Sequence, residues 1–404
     1  MTVVRIDGST GCLLIGNAKR FPLVLSNGPP ATSVAPSGKN GLAEVAAAGI
    51  SFLRTGTGGW SDEFADGQLT NERAALDAAE SHGLQCWSWL GELQNLPAQS
   101  GSAREQLLAK VVGALKAHPG LGAWKGHDEP SFGNVPVTGL VRGYAKVKSV
   151  DPDHPLVIIE APRQTAPQLQ RYNPALDITG ADIYPVSYPP GTHAATTKKD
   201  IGLVGDQTAK MVRAAAGKPV WMTLQIAWSG ILPPGHVPTF PTAKEERFMA
   251  YQAIIAGARG LAFFGGHLPQ VMRPADAKTG WNWHFWTTVL QPLVAELSST
   301  AVNPALTARE GAPVKVDSAE IQCTTRQDAH FLYVLAVRRG GTTSQVSFTG
   351  LPNVSRGEAL FEYANDAFRP VTVRAGTLRD WFGPYDAHVY RFPHAQPAAA
   401  AATS

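Results

Sequence analysis

The chain is poor in charge. Asp, Glu, Lys and Arg together make up 17% of its 404 residues and leave a net charge of only +3, where soluble domains usually hold about 25% charged residues. It has no run of Lys or Arg and no basic arm, so the electrostatic footprint of a nucleic-acid-binding protein is missing. No apolar stretch approaches the ~18–20 residues that span a bilayer. Cysteine is scarce: Cys12, Cys86 and Cys323 are an odd, widely spaced set without Cys-x-x-Cys, which excludes a zinc ribbon and a disulfide framework. His127, His267 and His284 show no metal-ligand spacing, and no metal is expected. No G-x-G-x-x-G follows a strand-like run, so no dinucleotide cofactor is expected either. No charged n-region or apolar h-region follows Met1.

What is plentiful is hydrophobic sequence (44%), which excludes wholesale disorder, together with 40 Gly, 31 Pro and 10 Trp. The length suggests two domains, one of them large. Residues 3–6 and 12–15 flank Asp7-Gly8-Ser9 and read as a hairpin. Short apolar strands then alternate with helical patterns. Strands are predicted at 21–25, 51–53, 84–89, 121–126, 156–159, 178–183, 220–224 and 260–264. Helices are predicted at 41–48, 71–81, 103–117, 137–150, 164–171, 204–215, 243–256 and 286–297. Eight strand–helix pairs in ~250–280 residues predict an α/β fold, a (β/α)8 TIM barrel. Beyond Pro304 the sequence turns to short alternating strands separated by Gly- and Pro-rich turns, as in a small all-β sandwich domain. The expected division is a hairpin at 1–20 packing on the barrel, a barrel at 21–302, a β-sandwich at 303–394 packed on it and a disordered Ala-rich tail at 395–404.

Such a barrel carries its site at the C-terminal ends of the strands. Read in turn, those ends supply Ser26 and Asn27; Arg54; Trp87, Trp89 and Glu92; His127, Asp128 and Glu129; Glu160; Asp182 and Tyr184; Gln225 and Trp228; Phe264 and His267. Carboxylates, one Arg and several aromatic rings thus share one rim. Aromatic faces stack on sugar rings, and paired carboxylates do acid–base work on a glycosidic bond. Each residue also has a structural use: Asp128 or Glu129 before Pro130 suits a helix start, Arg54 suits a rim ion pair, and one of Trp87 and Trp89 must enter the packing. These uses, taken singly, do not explain why nearly every strand ends in a polar or aromatic group.

The segment Gly122-Ala-Trp-Lys-Gly-His-Asp-Glu-Pro130 resembles the strand-4 acid/base motif of the large retaining clan (clan A) of (β/α)8 glycoside hydrolases, where Asn-Glu-Pro is usual. Ile178-Thr-Gly-Ala-Asp-Ile-Tyr-Pro185 resembles their strand-6 segment, and Lys218-Pro-Val-Trp-Met-Thr-Leu-Gln225 their strand 7. Residues 247–266 resemble the stretch from helix 7 to strand 8, and 361–390 the β-sandwich that often follows such barrels. The resemblance implies a glycosidase with a carbohydrate substrate and no cofactor. The N-terminus fits either a cytoplasmic protein or one whose signal peptide is absent from this sequence, and a secreted or periplasmic location is the expectation.

Two departures matter. Asp128 stands where Asn is usual, and Gln225 where the strand-7 nucleophile Glu is usual. An amide cannot form a glycosyl-enzyme ester. Glu129 is the expected general acid, with Asp182 favoured over Glu160 as its partner. Three mechanisms fit: inversion, with Asp182 or Glu160 activating water; retention, with one of them as nucleophile; and hexosaminidase-like substrate assistance by Asp128-Glu129. Inversion is preferred because the usual nucleophile is missing. Arg54, Trp87, Trp89, His127, Tyr184, Gln225, Trp228 and His267 are the expected substrate-binding residues, with Gln225 orienting water or substrate. The rival readings are a glycan-binding barrel without activity and a polysaccharide lyase. Loops 186–197, 229–242 and 268–281 are expected to shape the subsites.

Overall fold

A computed structural model describes residues 3–186, 200–227, 239–364 and 366–394. The chain divides into two compact units, Met1–Ser298 and Ser299–Ser404.

The first unit opens with a three-stranded antiparallel sheet, β1 (Val4–Ile6), β2 (Leu13–Ile15) and β3 (Ala18–Arg20). The third strand, Ala-Lys-Arg with every side chain exposed, has no alternation from which it could be read. Eight parallel strands follow: β4 (Leu23–Leu25), β5 (Phe52–Thr55), β6 (Gln85–Trp89), β7 (Leu121–Asp128), β8 (Leu156–Glu160), β9 (Ile178–Asp182), β10 (Val220–Gln225) and β11 (Gly260–Phe264). Each pairs with the next, and β11 pairs back to β4 through Leu261↔Leu23 and Phe263↔Leu25, closing the barrel. The continuous apolar runs in these strands reflect their burial on both faces, inside against side chains and outside against helices.

The barrel interior is filled by Val24, Phe52, Trp87, Ala123, Val157, Ile178, Trp221 and Ala262. Trp221 meets Phe52 edge-on and Trp87 at a tilt, with ring centroids 5.9 Å apart in both pairs. Val4 and Leu13 of the N-terminal sheet join this core, and the Val4 N–H donates to Asp153 O just before β8 (3.3 Å). That sheet therefore plugs the end of the barrel where the strands begin, and the opposite end stays open for the site.

The outer helices include α1 (Gly41–Ala48), α2 (Ala65–Glu80), α3 (Ala103–Leu115), α4 (Val137–Val150), α5 (Ala166–Gln170), α6 (Leu203–Ala215) and α7 (Ala243–Ile255). A last helical run fills 283–298, with a π-turn at Trp286–Leu290. Helix α2 starts six residues before its predicted start, because Leu69 extends the buried stripe of Leu76. Trp281, Trp283 and Trp286 cluster at the head of the last helix, and the Trp281 indole donates to Asn27 O (3.0 Å), tying the last βα loop to the first.

In the second unit nine antiparallel strands run from β12 to β20: β12 (Arg309–Glu310), β13 (Lys315–Val316), β14 (Ile321–Gln327), β15 (Phe331–Arg338), β16 (Ser344–Thr349), β17 (Arg356–Ala364), β18 (Ala367–Arg374), β19 (Thr377–Phe382) and β20 (Ala387–Pro393). They join in one continuous curled sheet, in the order β12-β14-β15-β20-β17-β18-β19-β16-β13. Its concave face holds a single core around Val334, Phe348, Val371, Phe382 and Tyr390. Cys12, Cys86 and Cys323 are free thiols. Among the described residues no helix is long and apolar enough to cross a membrane.

Candidate active site

The open end of the barrel holds a cavity of about 180 Å³. Its chemistry starts with a defect in β7. Every side chain of that strand is buried through His127, yet its register against β8 slips between Lys125 and Asp128. A regular strand would set Lys125, His127 and Glu129 on one face. The bulge instead turns Lys125, Asp128 and Glu129 into the cavity. It also frees the His127 N–H, which donates to Gln94 Oε1 (2.8 Å). Gly126 makes room for that oxygen, since a Cβ there would lie 2.2 Å from it.

Lys125 was not singled out from the sequence. It is 3% exposed, and its Nζ lies 2.6 Å from Asp128 Oδ1. The one signal available was a lysine inside an otherwise apolar strand, and the two-residue period gave no reason to join it to Asp128. Burial works to raise the Asp128 pKa, but the Lys125, Arg54 and His127 charges outweigh it and hold the carboxyl below its ordinary range. Beyond the strand, Glu129 sits in the left-handed region (φ 43°). Its N–H donates to Ile159 O, and its carbonyl accepts from Phe132 and Gly133 (2.9, 3.0 and 3.1 Å). A non-glycine residue held in this conformation carries strain of the kind that clusters at functional sites. The His127 ring has Nδ1 2.8 Å from Asp128 O and Nε2 2.9 Å from Glu92 Oε1. It steadies the chain on either side of the bulge and does not line the cavity.

Two strands along, β9 ends in Asp182. Its carboxyl is hydrogen-bonded to Glu129 and accepts the Tyr184 hydroxyl. A hydrogen bond between two carboxyls needs a proton on one of them. Burial first, then the neighbouring Glu129 and Asp128, push the Asp182 pKa well above its ordinary value, so the pair keeps one proton near neutrality. Burial and Asp182 likewise push the Tyr184 hydroxyl up, so it stays a donor. Tyr184 stacks on Phe264 (5.6 Å), and Phe264 meets His267 edge-on (5.4 Å). Burial and the nearby Arg54 push His267 down to about 4, so its ring is neutral.

Arg54 lines the cavity with its guanidinium 4.8 Å from the centroid of the Trp89 ring. Trp87 forms part of the floor and at the same time packs in the barrel core. Ser26 and Thr223 complete the polar lining.

Besides His127, two expectations are not met. Glu160 is buried and turned away from the cavity, and its Oε2 accepts the Ser131 N–H (3.0 Å) and hydroxyl (2.5 Å). It braces the loop that follows Glu129, and burial raises its pKa to about 7. Gln225 does not face water or substrate: its Oε1 accepts the Val186 N–H (3.0 Å) and its Nε2 donates to Val186 O. Both amide atoms are engaged in fixing the chain after Tyr184. Trp228, loop 229–242 up to residue 238 and loop 186–197 beyond Val186 lie outside the described residues. Among the described residues no three His, Cys, Asp or Glu converge as a metal-ligand set.

No protein family matches the sequence, and no curated protein does either. Solved structures do match. A family 5 glycoside hydrolase from Bacteroides vulgatus aligns with a TM-score of 0.62 at 14% identity, over 98% of this chain and 93% of that one. An α-amylase from Geobacillus thermoleovorans, complexed with acarbose, aligns at 0.58 and 11% over 93% and 98%. A family 30 endoxylanase from Clostridium papyrosolvens aligns at 0.53 and 10% over 98% of both chains. The chain therefore has the fold found in these glycoside hydrolases, a closed barrel of eight parallel strands followed by an antiparallel sheet domain.

Proposed function

We propose that the protein is a retaining glycoside hydrolase with Glu129 as acid/base and Asp182 as nucleophile. What carries this is that Glu129 and Asp182, two strands apart, both face the cavity at the open end of the barrel and act on each other's charge. Retaining pairs stand ~5–5.5 Å apart, and two carboxyls that share a proton belong at that short end. Burial raises the Asp182 pKa, so in the free protein the pair's one proton sits with Asp182. Substrate binding first draws that proton across to Glu129, which then passes it to the leaving group and leaves the negative charge on Asp182. Asp182 then bonds to the anomeric carbon. In the second half-reaction Glu129, now ionised, takes a proton from water, which displaces the sugar from Asp182. Tyr184, donating to Asp182, steadies its charge between the two steps. The glycoside hydrolases that share the fold support the same class of reaction.

The rival readings draw less support. Substrate assistance needs Asp128 to polarise an acetamido group, but Asp128 is paired with Lys125. A binding site without activity has little use for two carboxyls forced into contact at a cost in desolvation. The test is a panel of chromogenic glycosides with wild type, Glu129→Gln and Asp182→Asn, followed by the anomeric configuration of the products. Retention is expected in wild type. Azide should rescue Asp182→Asn to a glycosyl azide of inverted configuration and Glu129→Gln to one of retained configuration. Inversion by the wild type overturns the nucleophile assignment, and near wild-type turnover in Glu129→Gln overturns the acid.

A further inference from the structure

The cavity contains two cations, and only one has a counter-ion. Lys125 is bound to Asp128 at 2.6 Å. Arg54 has no ion pair and no hydrogen bond among the described residues; its contact there is the face of Trp89. The chain outside them offers no carboxylate, since segments 187–199 and 228–238 contain neither Asp nor Glu. The groups nearest in charge, Asp128 and Tyr184, act on Arg54 without touching it. A guanidinium presents five N–H donors in a planar fork that fits a carboxylate in two parallel bonds. Half-buried and stacked on Trp89, it leaves those donors without a protein acceptor among the described residues. The Ser26 and Tyr184 hydroxyls add further polar groups to that wall.

We propose that Arg54 binds the carboxylate of a hexuronic acid unit, so that the substrate is an acidic glycan. This rests on the glycosidase reading and adds its substrate class. With Asp128 neutralised by Lys125 and one proton shared by Glu129 and Asp182, the cavity carries no excess negative charge against such a ligand once Arg54 is counted. A charge-assisted, two-point contact sets KM for acidic substrates.

The test compares glucuronan and polygalacturonate with the same polymers after reduction of their carboxyls to alcohols, using wild type, Arg54→Lys and Arg54→Gln. Thermal melts check that each variant is folded. The wild type is expected to show a KM about ten- to hundredfold lower on an acidic polymer than on its reduced form, the factor typical of a lost charged hydrogen bond. Arg54→Gln should lose that preference, its KM on the acidic polymer rising by the same factor beyond any change on the reduced one. Arg54→Lys should recover only part of it. Equal KM values for acidic and reduced polymers in the wild type overturn the proposal, as does a loss in Arg54→Gln that is equal on both. Preference for a sulfated neutral glycan over the uronate polymers overturns the carboxylate assignment.

Calorimetry with methyl glucuronide and methyl galacturonide against methyl glucoside and galactoside separates this from the glycosidase reading, because it needs no turnover. Uronide binding that depends on Arg54 in a protein that cleaves nothing removes the hydrolase reading and leaves Arg54 as the anion site. Cleavage of neutral glycosides without uronide binding does the reverse.

Discussion

Both units bury carboxylates beside basic and aromatic side chains, but they satisfy them differently. In the curled sheet, Arg369 of β18 bridges Asp380 (2.6 Å) and Glu362 (2.8 Å). The Tyr390 hydroxyl donates to Asp380 (2.9 Å), and His388 is bonded to Glu362. Burial pushes the Glu362 pKa up, but His388 and Arg369 outweigh it, and the carboxyl stays below its ordinary range. At the barrel mouth the same residue types are left in tension. Asp182 is held next to Glu129 and Asp128, Glu160 is buried against Ser131, and Arg54 has no ion pair among the described residues. A network whose charges are matched stabilises a fold, whereas one whose charges are mismatched stores free energy that a substrate can release. The comparison marks the barrel-mouth cluster as the candidate site and the sheet cluster as a structural network.

The sharpest way to break it is at the acid pair. Glu129→Gln is expected to lower kcat by about 10²–10⁴-fold on substrates with poor leaving groups, while a denaturant midpoint shows little loss of stability. Arg54→Gln, with its ten- to hundredfold change in KM, comes next.

Glu160 gives a smaller effect, read as a pH slope. Its pKa is about 7 in the folded chain against 4.5 as its ordinary value. The stability it lends is therefore fully present below about pH 4.5 and is lost as pH rises through 7, a difference of about 3 kcal/mol at ~1.4 kcal/mol per unit. Urea unfolding of wild type and Glu160→Gln between pH 5 and 8 should diverge, with the variant gaining on wild type as pH rises. Parallel profiles would mean that Glu160 is ionised in the folded protein.

In the sheet unit, Arg369→Met removes the shared cation and leaves two acids side by side. About 2 kcal/mol of destabilisation is expected, discounted from the 3–5 of a fully buried pair because Arg369 is 31% exposed. The smallest effect is the opposite in sign. Asp182→Asn relieves repulsion from Glu129 and Asp128 and should stabilise the barrel by about 1 kcal/mol at pH 8 while abolishing turnover. Destabilisation by that substitution would place Asp182 with the matched networks and blur the distinction between the two units.

Much of the site was legible before the fold. Strand ends could be counted because β8 and its neighbours are short apolar runs between helical patterns, and that count brought Arg54, Asp128, Glu129, Asp182 and Tyr184 to one rim. The same count could not tell Glu160 from Asp182. Both end barrel strands, but Ile159 faces the cavity and turns Glu160 outward to Ser131. Nor could it find Lys125, because a bulge changes which residues share a face and leaves no mark in periodicity. Gln225 looked like a displaced catalytic residue until its amide was found closing on Val186, a contact 39 residues away in sequence.

The order of strands and helices, and so the barrel and the rim on which the chemistry sits, was determined by the sequence, because hydrophobic period and turn residues are local properties of the chain. The pairing of Lys125 with Asp128, of Glu129 with Asp182 and the isolation of Arg54 were decided by the tertiary structure alone. These contacts depend on distances of a few ångströms, set by a bulge in β7 in the first case and by the approach of strands distant in sequence in the others, and only the closed barrel fixes both.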